Sequence, residues 1–317
     1  MTTTNLPAAA TREALGPTLV RLQQNGANIV VVDADLGKST SARTFRDAFP
    51  ERFFTFGVAE QNMISAAGGL ATLGHTVIAS TFAVFAEHAF DQLRMSVAQP
   101  KLNVKVVASH GGVSTGEDGA SAQSVEDYAL FSSLVNFTVC VPADVVEAEA
   151  MVAAAVATPG PWYIRTGRPK IPVIYTDGPR FQVGKADMLR DGTDLTIVAC
   201  GLLVERSLRA ADALQASGIS ARVMNMGTIR PLDVAALEAA AQDTGAIVVA
   251  EEHLTHSGLG AMCAQAIAAT TQPVPMEFVG VQSRYGESAT WDEVLEIMGL
   301  TADGVEAAAR KVVARKR

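Results

Sequence analysis

Phe54-Thr-Phe-Gly-Val-Ala-Glu-Gln-Asn-Met-Ile-Ser-Ala-Ala-Gly-Gly-Leu-Ala, residues 54–71, reads as a short aromatic strand, a tight turn at Gly57 and a helix of small residues. The helix carries one acid, Glu60, at its start. Two explanations compete for it. A first-turn carboxylate is favoured by the helix dipole and can sit solvated at the surface. Alternatively, Ala66, Ala67, Gly68, Gly69 and Ala71 let this helix pack close to a neighbour. An acid at its head would then be buried, would need a partner, and would be suited to proton chemistry.

Outward from this stretch, strands and helices alternate. Ile29 to Val32 is a β-branched run of the kind buried on both faces of a parallel sheet. It ends in the polar loop Asp33-Ala-Asp-Leu-Gly-Lys-Ser-Thr, at a strand end where open α/β sheets place ligands. The residues 11–26 before it have a helical period, with Leu15, Leu19 and Leu22 apolar. Thr76 to Phe82 is a further strand, and a helix is expected over 83–98, with Phe82, Phe85 and Phe90 near its head. The strand Val104 to Ala108 is closed by Ser109-His-Gly-Gly-Val-Ser-Thr-Gly-Glu-Asp-Gly, too rich in glycine and charge for a plain hairpin. Phe137 to Val141 follows, then Asp144 as the N-cap of an alanine-rich helix over 145–157. Pro161-Trp-Tyr-Ile-Arg-Thr-Gly-Arg-Pro is a strand ending in two arginines. The alternation predicts a doubly wound parallel sheet.

Residues 176–192 look irregular, and the expected division is 1–178, a linker over 179–192, and 193–317. A second α/β unit follows, with strands at 195–199, 221–225 and 246–250 and helices at 204–216 and 233–242. Glu251-Glu-His-Leu-Thr-His, after the last of these strands, marks a possible second ligand face. His253 and His256, three apart with no third ligand, suit packing or an interface better than a metal.

The 317 residues suffice for two domains, and with 49% hydrophobic and 18% charged residues a sizeable core is expected. A net charge of −8, without a basic run interleaved with aromatics, excludes nucleic acid as the expected partner. Cys140, Cys200 and Cys263 lie far apart in apolar surroundings and read as reduced core thiols. With no signal-peptide pattern and no long apolar span, the expected setting is cytoplasmic, without membrane.

Four motifs in order carry a family resemblance: Gly57-Val-Ala-Glu-Gln-Asn-Met, Ser80-Thr-Phe-Ala-Val-Phe, the glycine-rich loop from Ser109, and Tyr163-Ile-Arg-Thr-Gly-Arg-Pro-Lys-Ile-Pro. Over nearly the whole chain, the sequence resembles the pyrimidine-binding and C-terminal domains of transketolases, thiamine-diphosphate enzymes of sugar metabolism. The resemblance implies an α/β fold of two doubly wound domains. The Gly-Asp-Gly motif with which such enzymes hold magnesium and diphosphate is absent from this sequence. The chain therefore resembles the C-terminal subunit of a split transketolase, inert alone. Its partner would be an N-terminal subunit that ligates Mg2+, in a two-plus-two heterotetramer.

By resemblance, Glu60 is the acid that protonates the aminopyrimidine ring, a task suited to a buried carboxyl because burial disfavours its charged form. Phe85 would stack on that ring and Phe82 would line its pocket, whereas His88 stands where relatives carry an aromatic. Arg12, Ser39, His110 and Arg168 match the positions that receive sugar phosphate, a ligand suited to arginine. Asp118 would accept hydrogen bonds from sugar hydroxyls, and Asp35 holds the acidic position of the first loop. Glu60 and His110 are the expected catalytic pair. Ala122 replaces a histidine usual in the family, which suggests an altered sugar or a smaller acceptor. The expected reaction moves a two-carbon ketol unit between phosphorylated sugars. The alternatives are the E1 β-subunit of a 2-oxo acid dehydrogenase and a non-catalytic regulatory relative.

Overall fold

The computed structural model describes residues 7–270 and 272–316. Buried β-branched runs build a seven-stranded sheet in the spatial order Thr228–Arg230, Thr138–Cys140, Trp162–Arg165, Val104–Ser109, Thr76–Phe82, Ile29–Asp33, Phe53–Thr55. Its strands are parallel except the edge strand Thr228–Arg230. The chain leaves Ile29–Asp33 for one side of the sheet and returns to Thr76–Phe82 on the other. This reversal of winding opens a crevice at the carboxyl ends of those strands.

The second sheet runs Met276–Val281, Ile247–Leu254, Leu195–Ala199, Ala221–Asn225, Asp187–Arg190, the last pair antiparallel. An α/β fold of two units therefore stands as expected. A separate two-stranded ribbon pairs Ala8–Ala10 with Lys170–Pro172 and brings the chain start to the segment after the two arginines.

Several helices follow the pattern of the sequence. Val145–Ala157 is capped by Asp144, which accepts from the Glu147 amide at 2.8 Å. Its other oxygen accepts from Ile174 and Tyr175 amides, so one carboxylate serves both a helix and the segment leading to the second sheet. The helix Glu60–Thr72 packs tightly where its glycine requires it: a Cβ on Gly68 would stand 2.7 Å from Ser96 O.

Three expectations need correction. The linker over 179–192 contains the strand Asp187–Arg190, an edge strand whose short polar pattern carries no signal outside its antiparallel pairing. The helix expected over 83–98 is broken into Ala83–Ala86, a 3-10 turn Glu87–Ala89, Phe90–Leu93 and a π turn Arg94–Ala98. Finally, the strand expected to stop at residue 250 runs on to Leu254, so Glu251, Glu252 and His253 are buried strand residues rather than a ligand-facing loop. Burying two acids and a histidine is costly unless they are paired, and the partners are remote in sequence.

Cys140, Cys200 and Cys263 are buried free thiols. Among the described residues, no helix is long and apolar enough to cross a membrane, and no three His, Cys, Asp or Glu side chains are grouped to hold a metal.

Candidate active site

The carboxyl ends of five parallel strands deliver the site. Asp33 ends one strand; although burial pushes its carboxyl up from the usual range, it accepts from the Leu36 amide at 3.2 Å and shapes the first loop. Within that loop Asp35 is exposed at φ +63°. Its side chain joins no ion pair among the described residues. Ser39 contributes its backbone oxygen, which accepts from Arg12 Nη1 at 2.9 Å.

His110 follows the strand Val104–Ser109 and is held at φ +60°, a strained conformation for a residue with a side chain. Its imidazole stacks on Phe82, with ring centroids 3.7 Å apart and planes 19° apart. Nε2 lies 3.5 Å from Arg12 Nη1, and Nδ1 meets the Ser109 hydroxyl. A guanidinium only donates, so Nε2 is the acceptor and the proton sits on Nδ1. Burial, then Arg12 and Arg168, push the imidazole down to about 3. It is neutral across the physiological range.

Arg168 completes a cationic corner. Burial and the neighbouring Arg168 lower Arg12 from its ordinary value. Arg168 Nη1 lies 3.3 Å from Glu117 and 3.4 Å from Asp118, and donates to Thr115 O. Arg12, His110 and Arg168 therefore converge as the sequence suggested, with Asp118 beside them. Ser39 joins through its backbone.

At the other side of Phe82 lies an aromatic corner. Phe82 and Phe85 stack at 5.5 Å with planes only 11° apart, and Phe85 leans on His88 at 5.7 Å. Beyond His88 is Glu60, buried at the first position of its helix, with Oε2 3.8 Å from His88 Nδ1. A ladder of rings thus joins the cationic corner to a buried acid.

The glycine-rich loop is pinned from the second unit. A Cβ on Gly112, itself at φ +81°, would lie 2.2 Å from the Glu252 carboxyl carbon, and one on Gly111 would strike Arg165. Gln123 is buried and donates to Val113 O, Gly116 O and, across the units, Glu287 O. Arg165 is the residue whose importance was hidden. It is 4% exposed, donates to Ser124 O and Glu252 O at 2.9 Å each, and its Nε stands 3.1 Å from Asp127. Only the pair of arginines at a strand end hinted at it.

Against this geometry, residues 7–173 match the model of the transketolase pyrimidine-binding domain, and residues 184–305 match that of the transketolase C-terminal domain. The chain belongs to the transketolase family. It is 40% identical over 93% of its length to a putative transketolase C-terminal section of Methanocaldococcus jannaschii, covering 93% of that protein. It is 38% identical, over 94% of this chain and 92% of the other, to a 6-deoxy-6-sulfo-D-fructose transketolase subunit of a Clostridium species. Among solved structures, one described as a split-gene transketolase in an inactive beta4 tetramer superposes with a TM-score of 0.91 at 47% identity, covering 97% of this chain and 99% of that one. The chain spans about half the length of several other curated relatives it matches. The resemblance to the C-terminal subunit of a split transketolase is borne out, and the E1 β-subunit alternative is not favoured.

Proposed function

We propose that this transketolase-family chain supplies the pyrimidine-side half of a thiamine-diphosphate site and transfers a two-carbon ketol unit between anionic sugars. The observation that carries the reading is the ladder from Glu60 through Phe85 and Phe82 to His110, ending at Arg12 and Arg168. An aminopyrimidine needs an apolar face and one carboxyl at its ring nitrogen. The stacked phenylalanines and Glu60 fit that need: Glu60 is 6% exposed, and its carboxyl has no hydrogen bond among the described residues. Its oxygens are not among the fully buried unpaired atoms, so they stay open to a ligand.

When bound, thiamine diphosphate supplies an acidic thiazolium carbon that, once deprotonated, takes up the ketol unit. Glu60 holds a proton at the pyrimidine ring nitrogen, which makes the exocyclic nitrogen basic. Phe85 stacks against the ring and Phe82 closes its pocket. Arg12 and Arg168 bind the anionic end of the sugar, where charge-assisted bonds are strongest. His110, kept neutral, offers Nε2 and Nδ1 as fixed acceptor and donor positions. Asp118 and Asp35 face sugar hydroxyls. The diphosphate and Mg2+ fall to an N-terminal partner subunit, since this sequence has no Gly-Asp-Gly, in a two-plus-two assembly. The tetramer described as inactive for a split-gene relative supports a chain that is inert alone.

The substrate is a sugar phosphate or, as the name of the Clostridium relative suggests, a sugar sulfonate; both place an anion at the same corner. The test is to titrate thiamine diphosphate and Mg2+ into this chain alone and into its mixture with the N-terminal partner. Binding only in the mixture, with turnover of phosphorylated or sulfonated ketoses, is the expected result. Tight binding to the isolated chain would overturn the two-chain reading.

A further inference from the structure

Ser109 Oγ lies 2.5 Å from His110 Nδ1, and both side chains are buried within this chain. No step above uses that hydroxyl. Its place follows from the sheet. Ser109 is the last residue of the strand Val104–Ser109 and stands in register with Phe82, the ring on which His110 stacks. The backbone of His110 is held as well, since the Thr115 hydroxyl donates to His110 O at 2.9 Å. The imidazole is thus confined to one plane, but a plane does not choose an edge. A half-turn about the Cβ–Cγ bond keeps the ring against Phe82 and exchanges Nδ1 for Cδ2 and Nε2 for Cε1. Only polar partners tell the two orientations apart. Among the described residues the ring nitrogens have two, Ser109 Oγ at Nδ1 and Arg12 Nη1 at 3.5 Å from Nε2. In the proposed function Arg12 is taken up by the anionic end of the sugar. Ser109 is the partner that remains.

Resting on the proposed function, we infer that Ser109 is a positioning residue for His110, whose hydroxyl accepts from Nδ1 and so places Nε2, as an acceptor, at the sugar-binding corner. The proton of a neutral imidazole sits on the nitrogen that its partners favour. Ser109 Oγ can take a hydrogen from Nδ1, whereas a guanidinium only donates and its charge disfavours a second proton at Nε2. A sugar hydroxyl then meets a lone pair at a fixed place. Without the Ser109 hydroxyl, the stacked ring has little to choose between its edges, and Cε1 faces the sugar in part of the molecules. Nothing in this arrangement depends on exposure to water, and a partner subunit could only deepen the burial of the pair.

The test has two parts. The full chain, labelled with 15N in histidine and without partner or cofactor, is examined by NMR, with His110 assigned by its absence in His110→Gln. The wild type is expected to show Nδ1 protonated and Nε2 bare. A proton on Nε2 would overturn the inference whether or not any variant folds. Ser109→Ala is expected to mix or reverse the pattern. In the complex with the N-terminal partner, Ser109→Ala is expected to raise KM for a phosphorylated ketose by roughly tenfold, the scale of one hydrogen bond, with thiamine diphosphate affinity unchanged. Ser109→Thr, which keeps the hydroxyl, is expected to restore both readouts. A wild-type pattern or a wild-type KM in Ser109→Ala would overturn the inference, as would an equal loss of cofactor affinity, which marks a merely structural role. So would a Ser109→Thr chain with the wild-type pattern and the KM of Ser109→Ala. A wild-type complex that binds no thiamine diphosphate would instead overturn the proposed function, and the nitrogen pattern of the chain alone tells the two failures apart.

Discussion

Arg165, at the end of a strand in the first sheet, donates to the backbone oxygen of Glu252 in the second at 2.9 Å. The same guanidinium reaches Ser124 O and stands against Asp127, which also accepts from Tyr163 at 2.6 Å. Next to it, Glu251 accepts from the Tyr128 hydroxyl and from the Leu259 and Gly260 amides at the head of the helix Leu259–Ala268. Glu252 accepts from the Ser114 amide inside the glycine-rich loop. The loop that carries His110 and Asp118 is thus set by the contact between the two units. Burial pushes Glu251 up to about 7, mitigated by Tyr128 and the two amides, and Arg165 is pushed above its ordinary value by Asp127 and Glu252 despite its own burial.

Removing one member of this buried set is expected to be severe. Arg165→Met removes the charge partner of Asp127, which keeps only the Tyr163 hydroxyl, and takes one donor each from the Ser124 and Glu252 oxygens, at a cost of about 3–5 kcal/mol. Urea unfolding should show a lowered midpoint, with the two units melting separately. Asp127→Asn, which keeps the shape, should cost less. A wild-type midpoint in Arg165→Met would show that the guanidinium is not holding the units together.

Arg168 is expected to act on substrate rather than on stability. It is half-buried, and its partners Glu117 and Asp118 are exposed, so their pairing contributes little to folding. Arg168→Leu should raise KM for a phosphorylated ketose by roughly 10- to 100-fold in the reconstituted complex, the loss of one charged hydrogen-bonding partner. A small ketose without an anionic group should be turned over nearly as before. Equal losses for both substrates would contradict the phosphate role.

Glu60→Gln keeps the size of the side chain and removes its acid. Loss of kcat by about 100-fold or more is expected, the scale of one proton-transferring group. Thermal unfolding of the isolated chain should be little changed, because the Glu60 carboxyl makes no hydrogen bond that the amide would break. Full activity in this variant would remove the basis of the functional reading.

His110 predicts a pH dependence of stability. Its ordinary value is 6.5, and burial with Arg12 and Arg168 takes it to about 3 in the folded chain. Between these values the unfolded chain binds a proton that the folded chain refuses. Stability is therefore lost as pH falls from 6.5 toward 3, by at most about 1.4 kcal/mol per pH unit for this one group. Glu87, raised by burial to about 8, has the opposite sign and lends stability at low pH that is lost as pH rises through 8. The difference between wild type and His110→Gln isolates the histidine: denaturant titrations at several pH values should give a shallower acid loss in the variant. Parallel curves would refute it.

Much of the fold was legible because its signals are local. The β-branched run at residues 29–32, the cap at Asp144 and the helix over 145–157 depend on neighbours in the chain, and each stands where the pattern placed it. The crossing strand Thr228–Arg230 and the edge strand Asp187–Arg190 were not legible, since a three- or four-residue strand owes its existence to the sheet that receives it. The single helix expected over 83–98 failed for a related reason: its helical period continues through turns that packing has tightened or widened.

The motifs in their order identified the family, and the resemblance suggested site roles for Glu60, Phe82, Phe85, Arg12, His110 and Arg168, since recognition of this kind needs only residue types at fixed spacing. Which of two arginines at one strand end would be buried between the units, and which would reach the site, was decided by packing: Arg165 points into the contact with Glu252, and Arg168 lies beyond it. The same holds for Glu251 and Glu252, which look like loop acids until the strand is seen to continue, and for His88, whose approach to Glu60 joins two segments separate in the chain. Local pattern is a property of a few consecutive residues, whereas the partner of a buried charge is chosen by the whole chain, because every such group must find its compensation wherever the fold brings one near.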